Sequence, residues 1–184
     1  MKKEQKQLDL INTTCNTKYK SMDKVDWYYI SKKQYLSEKF IREFKHKLVW
    51  DYISAYNKLS EDFISEFKNR VNWHIISQTQ TLSEDFIREF AHKVNWYNIS
   101  RHQKLSEDFI KEFQDKVDWE NISYFQKLSE NFIREFKNKV NWEDISERQN
   151  LSKEFLREFK DKIHWKKFFN RDDMQDMLID KILN

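Results

Sequence analysis

Residues 94–119 read VNWYNISRHQKLSEDFIKEFQDKVDW, a stretch that opens and closes on a valine, an Asn or Asp, and a tryptophan. Trp96 and Trp119 are 23 residues apart, and the same interval carries Trp27, Trp50, Trp73, Trp96, Trp119, Trp142 and Trp165 without a slip. A fixed period over this much of a chain is the signature of a repeat architecture and outranks any local propensity. The unit is V-[D/N]-W-x-x-I-S-x-x-Q-x-L-S-E-x-F-I-R-E-F-x-x-K.

Each unit holds two helix starts. Asp26, Asn72, Asn95, Asp118 and Asn141 precede the tryptophan, where an Asx side chain caps the free N–H groups of a first helix, helix A. Val25 and Ile30 flank that cap as a hydrophobic staple. Ser37 caps a second helix, helix B, with Leu36 and Ile41 as its staple; the pairs recur as Leu59/Ile64, Leu82/Ile87, Leu105/Ile110 and Leu128/Ile133. In the first repeat this places helix A over about 27–34 and helix B over about 38–45. Helix B is expected to close on a left-handed residue at His46, Asn69, His92, Asp115, Asn138 and Asp161, since Asn, Asp and His best tolerate that conformation after Gly. Val49 and His164 stand where the Asx cap should be, so those two helix starts are expected to fray.

The fold expected is all-α: tandem two-helix repeats stacked as an α-solenoid, with a cap segment over 1–24, six repeats over 25–165 and a capping helix over 166–184. In that last segment Met174, Met177, Leu178 and Ile182 share one helical face. Composition agrees. Gly and Pro are both absent, which removes the usual turn punctuation of sheet folds and every Gly-rich phosphate loop. Aromatic residues at 16% exclude disorder of the body. Trp27 and its six equivalents read as structural wedges between hairpins, because a 23-residue hairpin cannot bury its apolar set alone.

The function classes narrow by elimination. Residues 1–24 hold six Lys against Glu4, Asp9 and Asp23, which accounts for the whole net charge of +3 and leaves the repeats neutral. A neutral body disfavours nucleic acid, although the basic N-terminal end keeps that alternative open. Cys15 is the only cysteine, so no internal disulfide forms. No apolar run reaches a membrane span and no signal-peptide core follows Met1; Asn12, Asn98, Asn121 and Asn150 head chance glycosylation triplets, and an intracellular location is expected. His46, His74, His92, His102 and His164 occupy scattered positions without metal-ligand spacing, and Asp172, Asp173 and Asp176 lack the pattern of a calcium loop, so no metal or cofactor is expected. Ser31 and its equivalents have no recurring base beside them and read as small residues that let helices approach. Glu43 with Lys47, and Glu38 with Arg42, read as i,i+4 ion pairs; six copies of one carboxylate do not suit one reaction. No catalytic residue is expected.

What varies between copies lies on helix A, at one, two, five and six residues past the tryptophan. These offsets form one helical face opposite Trp and Ile. Its candidate partner-binding residues are Tyr28, Tyr29, Lys32, Lys33, Tyr52, Tyr56, His74, Tyr97, Arg101, His102, Tyr124, Phe125, Glu147 and Arg148. The strip runs from basic-aromatic to acidic along the chain. Drift on a solvated face and a protein-binding strip both account for such variation, and the enrichment of Tyr and Arg speaks for the second.

The motif LSEDFIREF with its following Lys-Val-Asn/Asp-Trp resembles the short tandem-repeat proteins encoded by large DNA viruses of amoebae, over residues 25–165. That resemblance implies a viral protein acting in the host cytoplasm or packaged in the virion, and it brings no activity and no functional residue with it.

Overall fold

The computed structural model describes residues 2–170, and among these every regular element is helical. Helix A recurs as α2 (Trp27–Ser31), α4 (Trp50–Tyr56), α6 (Trp73–Thr79), α8 (Trp96–His102), α10 (Trp119–Phe125), α12 (Trp142–Arg148) and α14 (Trp165–Phe169). Helix B recurs as α3 (Glu38–Phe44), α5 (Glu61–Glu66), α7 (Glu84–Glu89), α9 (Glu107–Glu112), α11 (Glu130–Glu135) and α13 (Lys153–Glu158). The chain divides into two compact units, Met1–Val94 and Asn95–Asn184. In the first, α2 packs on α4 and α4 on α6; in the second, α8, α10, α12 and α14 pack in succession. None of the described helices is long and apolar enough to cross a membrane.

Helices of six or seven residues are too short to persist alone, so capping and inter-repeat packing must hold them. Asp26, Asn72, Asn95, Asp118 and Asn141 all cap as expected, and so does each helix B serine from Ser37 to Ser152. Val49 gives no side-chain cap. His164 departs from expectation, because its Nδ1 accepts from Lys167 N–H at 3.3 Å and replaces the missing carboxylate or amide. The core is a file of Ile30, Ile53 and Ile76 in the first unit and Ile99, Ile122 and Ile145 in the second, all fully buried. The helix B pair Phe/Ile, as in Phe63 and Ile64 or Phe109 and Ile110, closes against it.

The expected left-handed closure of helix B does not occur. Among the described residues only Asn16 and Tyr35 have positive φ, so His46, Asn69, His92, Asp115, Asn138 and Asp161 all have negative φ. The chain instead winds through one tight turn, with Lys47 N–H bonding Phe44 O at 2.8 Å and Leu48 N–H reaching the same oxygen at 3.3 Å. The carbonyl left over at the helix end is taken by a tryptophan. Trp50 Nε1–H donates to Lys45 O at 3.0 Å, Trp73 to Lys68 O at 2.9 Å and Trp119 to Gln114 O at 3.0 Å. With the orphan carbonyls satisfied, no residue has to enter the left-handed region.

The tryptophans are therefore less interior than expected. Every one is half-buried. From Trp50 to Trp142 each ring lies on two phenylalanines of its own repeat, as Trp50 does on Phe63 and Phe67 at 6.3 and 4.9 Å while its edge reaches back to Lys45 O of the preceding repeat; Trp27 lies on Phe44 at 5.2 Å.

Buried polar side chains tie repeat to repeat. Ser100 Oγ–H donates to Trp96 O and accepts from Asp118 N–H at 2.9 Å, and Ser31, Ser54, Ser123 and Ser146 do the same for their successors. The serine is a relay as well as a small residue. Gln126 accepts from Leu105 N–H at 3.1 Å and donates through Nε2 to Ser100 O and Gln103 O, both at 2.9 Å. Gln80 and Gln149 repeat this pattern. The recurring glutamate also bridges repeats instead of pairing four residues on. Arg42 meets Glu66 at 2.7 Å, Arg134 meets Glu158 at 2.8 Å, and Glu43 accepts from Gln7. The Glu38–Arg42 pair forms as expected at 3.6 Å.

Residues 2–15 form α1 (Lys2–Cys15), with Leu8, Ile11 and Cys15 buried. It ends with Asn16 left-handed at φ 52 and Thr17 N–H on Asn12 O at 3.0 Å, a Schellman closure without Gly. The face expected from Met174, Met177, Leu178 and Ile182 lies outside the described residues.

The first inter-repeat junction breaks the pattern. Asn57 stands where later repeats carry Gln; its Oδ1 accepts from Leu36 N–H at 2.7 Å, but its Nδ2 is buried without a partner. An amide one methylene shorter reaches the N–H and misses the carbonyls. Asn57→Gln is expected to stabilise the protein by about 1 kcal/mol, the worth of satisfying a buried donor less the strain of inserting a methylene. A denaturant midpoint that stays put or falls would show that the first junction has repacked around Asn.

Candidate interaction surface

On helix A the residue after each tryptophan points to solvent in all six repeats, and so do most residues at the fifth and sixth positions. The second position behaves differently. Asn98 and Asn121 are buried, which narrows the strip inferred from sequence. Within a unit the first position of one helix meets the second of the next, as Tyr28 meets Tyr52 and Glu143 meets Lys167.

In the first unit, Tyr28 and Tyr52 meet edge to face at 5.1 Å, and Tyr52 O–H donates to Tyr28 Oη at 2.7 Å. Tyr56 stacks on Tyr52 at 6.0 Å. Lys32 Nζ lies 4.0 Å from the Tyr28 ring centre and 4.9 Å from that of Tyr52, while Lys33 lies 4.4 Å over Tyr29. The Lys32 ammonium, and after it the Tyr52 hydroxyl, lower the Tyr28 pKa; the bond to Tyr28 raises that of Tyr52. His74 is exposed on the same face.

The second unit carries a separate group. Arg101 lies 4.9 Å over Phe125 and reaches Tyr97 Oη at 3.4 Å; Phe125 packs on Tyr124 at 4.6 Å; Arg148 lies 4.0 Å over Tyr124 and bonds its hydroxyl. Glu147 pairs with Arg148 at 3.1 Å and with Lys167 at 2.9 Å. His102 is exposed and, with Arg101, Lys104, Phe125 and Lys127, borders a hollow of about 410 Å³. A second hollow of about 330 Å³ is bordered by Tyr97, Arg101, Glu120, Tyr124, Phe125 and Asp144. Partial burial, and then Glu120, Glu143 and Glu147, raise the Asp144 pKa. Lys167, two residues past Trp165, was missed in the sequence; carrying the period one repeat further places it on the strip.

These features define a tandem two-helix-repeat protein whose helix A row bears an aromatic and charged strip. Comparison with known proteins adds no relative: no family profile, no curated protein and no solved structure matches this chain.

Proposed function

We propose that this chain is a non-enzymatic scaffold that holds a protein partner on the variable face of helix A, within a host cell or particle of an amoebal DNA virus. One observation carries the reading. Of the eight exposed large hydrophobic residues among those described, five lie on this strip: Tyr28 at 54%, Tyr29 at 45%, Tyr56 at 45%, Tyr97 at 51% and Phe125 at 43% exposure. Scattered apolar exposure is ordinary, but aromatic exposure that recurs on the same face of helix A within each unit, beside stacked cations, is the composition of an interface core. The tyrosines are also held by stacking and cation–π contact, so little side-chain freedom is lost when a partner closes over them.

Affinity capture with Tyr56→Ala, Tyr97→Ala and Phe125→Ala combined tests this. The captured partner is expected to be lost at least about tenfold while the melting temperature moves little, as exposed substitutions do. Equal capture by both proteins overturns the strip. Retention on heparin that collapses when Lys2, Lys3, Lys6, Lys32 and Lys33 are neutralised would favour the nucleic-acid alternative.

A further inference from the structure

Two parts of the strip are left with opposite charge. In the first unit, Lys32 and Lys33 rest on tyrosine rings, and among the described residues neither takes a carboxylate. Lys167, by contrast, sits between Glu143 and Glu147, and Arg148 sits on Glu147, while Arg101 rests on Phe125. In the second unit, Glu120 and Asp144 border the hollow of about 330 Å³ together with the single cation Arg101, which lies over Phe125 and reaches Tyr97, so its lining keeps an excess of negative charge. Tyr124 and Phe125 wall the same hollow and offer apolar surface to a lysine stem or a tyrosine ring.

We infer that the hollow bordered by Glu120 and Asp144 receives the Lys32/Lys33 tyrosine cluster of a second copy of this chain, head to tail. The inference rests on the strip being an interaction surface and names its occupant. The charge complementarity is specific to this pair of patches, since two lysine clusters brought face to face would repel. A two-fold dimer that pairs each lysine cluster with the other copy's hollow closes at two copies, and a one-sided pairing continues into rings or chains. Partial burial, and then Glu120, Glu143 and Glu147, raise the Asp144 pKa against the pull of Lys167, which is consistent with a site that gains from an incoming cation.

Purified protein alone tests this, by sedimentation at about 0.01 M salt, where charges act over roughly 30 Å, and at about 0.15 M, where they act over roughly 8 Å. The mass is expected to rise with concentration above 23.0 kDa at low salt and to return towards it at high salt. Lys32→Glu with Lys33→Glu should abolish the rise, as should Glu120→Lys with Asp144→Lys, and all four together should restore it. Unchanged circular-dichroism melting of each variant establishes that it folds. A wild-type chain that stays at 23.0 kDa at low salt, or a fourfold variant that stays monomeric, overturns the inference. Capture of a different protein that still depends on Tyr56, Tyr97 and Phe125 would leave the scaffold reading standing while this one falls.

Discussion

Gln126→Leu is expected to cost the second unit about 3 kcal/mol, read as a lower denaturant midpoint and faster exchange of the Leu105 amide. Leucine fills nearly the same space, so the loss isolates the polar work of the side chain. Helix α8 ends at His102, and the carbonyls of Ser100 and Gln103 near that end are both taken by Gln126 Nε2, while Leu105 N–H just beyond is taken by Oε1. One side chain from the next repeat thus caps the C-terminus of its predecessor in a site that is itself buried. Leucine strands three backbone groups away from water, and each stranded group costs about 1–3 kcal/mol before relaxation. Asn57 supplies an internal control. It keeps the N–H contact and leaves its Nδ2 without a partner, so Gln126→Asn should fall between wild type and leucine. A leucine variant within about 0.5 kcal/mol of wild type would mean that water enters and replaces the amide.

The contrast between what the sequence made legible and what it hid follows from where each signal resides. Caps and staples are local: Asp118 and Ser106 act on residues three positions away, and a single strand of sequence contains both partners. Gln126 and Ser123 act on residues 21 and 18 positions away, so their type recurs in the unit while their partners do not show. The sequence marked the serine as small and gave the glutamine no role. The closure of helix B failed for a related reason: the side chain that satisfies Gln114 O is Trp119, which had already been assigned to the core. The strip was found because it varies, and variation does not reveal that Asn98 and Asn121 are buried.

The strip and the repeat joints share residues only indirectly, and this separation matters for function. Ile122 and Ser123 face inward from α10, as does Gln126 just past its end, and Glu120, Tyr124 and Phe125 face out from the same helix. The inward set is nearly constant across repeats, so outward side chains can change without altering the register that aligns them. In an array whose stability is a sum of repeat and neighbour terms, each repeat then offers its own surface chemistry at fixed spacing.

That dependence predicts the effect of removing one indole. Trp119→Ala is expected to destabilise the second unit by about 3 kcal/mol, towards the low end for tryptophan truncation because the ring is only half-buried. Trp119 stacks on Phe132 at 6.2 Å and Phe136 at 5.0 Å, and Lys139 lies 5.8 Å over its ring. Alanine opens a cavity between the two helices of that repeat. Trp119→Phe keeps the aromatic contact and gives up only the bond to Gln114 O at 3.0 Å, a partly exposed carbonyl that water can reach, so its cost should stay near 1 kcal/mol. Equal losses in the two variants would shift the weight from aromatic packing to the hydrogen bond that ends helix B. Because Trp119 opens the helix that carries Glu120, Tyr124 and Phe125, the alanine variant should also lose whatever binds that part of the strip at temperatures below its global unfolding. The phenylalanine variant should keep it. A tryptophan whose loss lowered stability and left binding intact up to the melting point would mean that α10 holds its outward face without the ring beneath it.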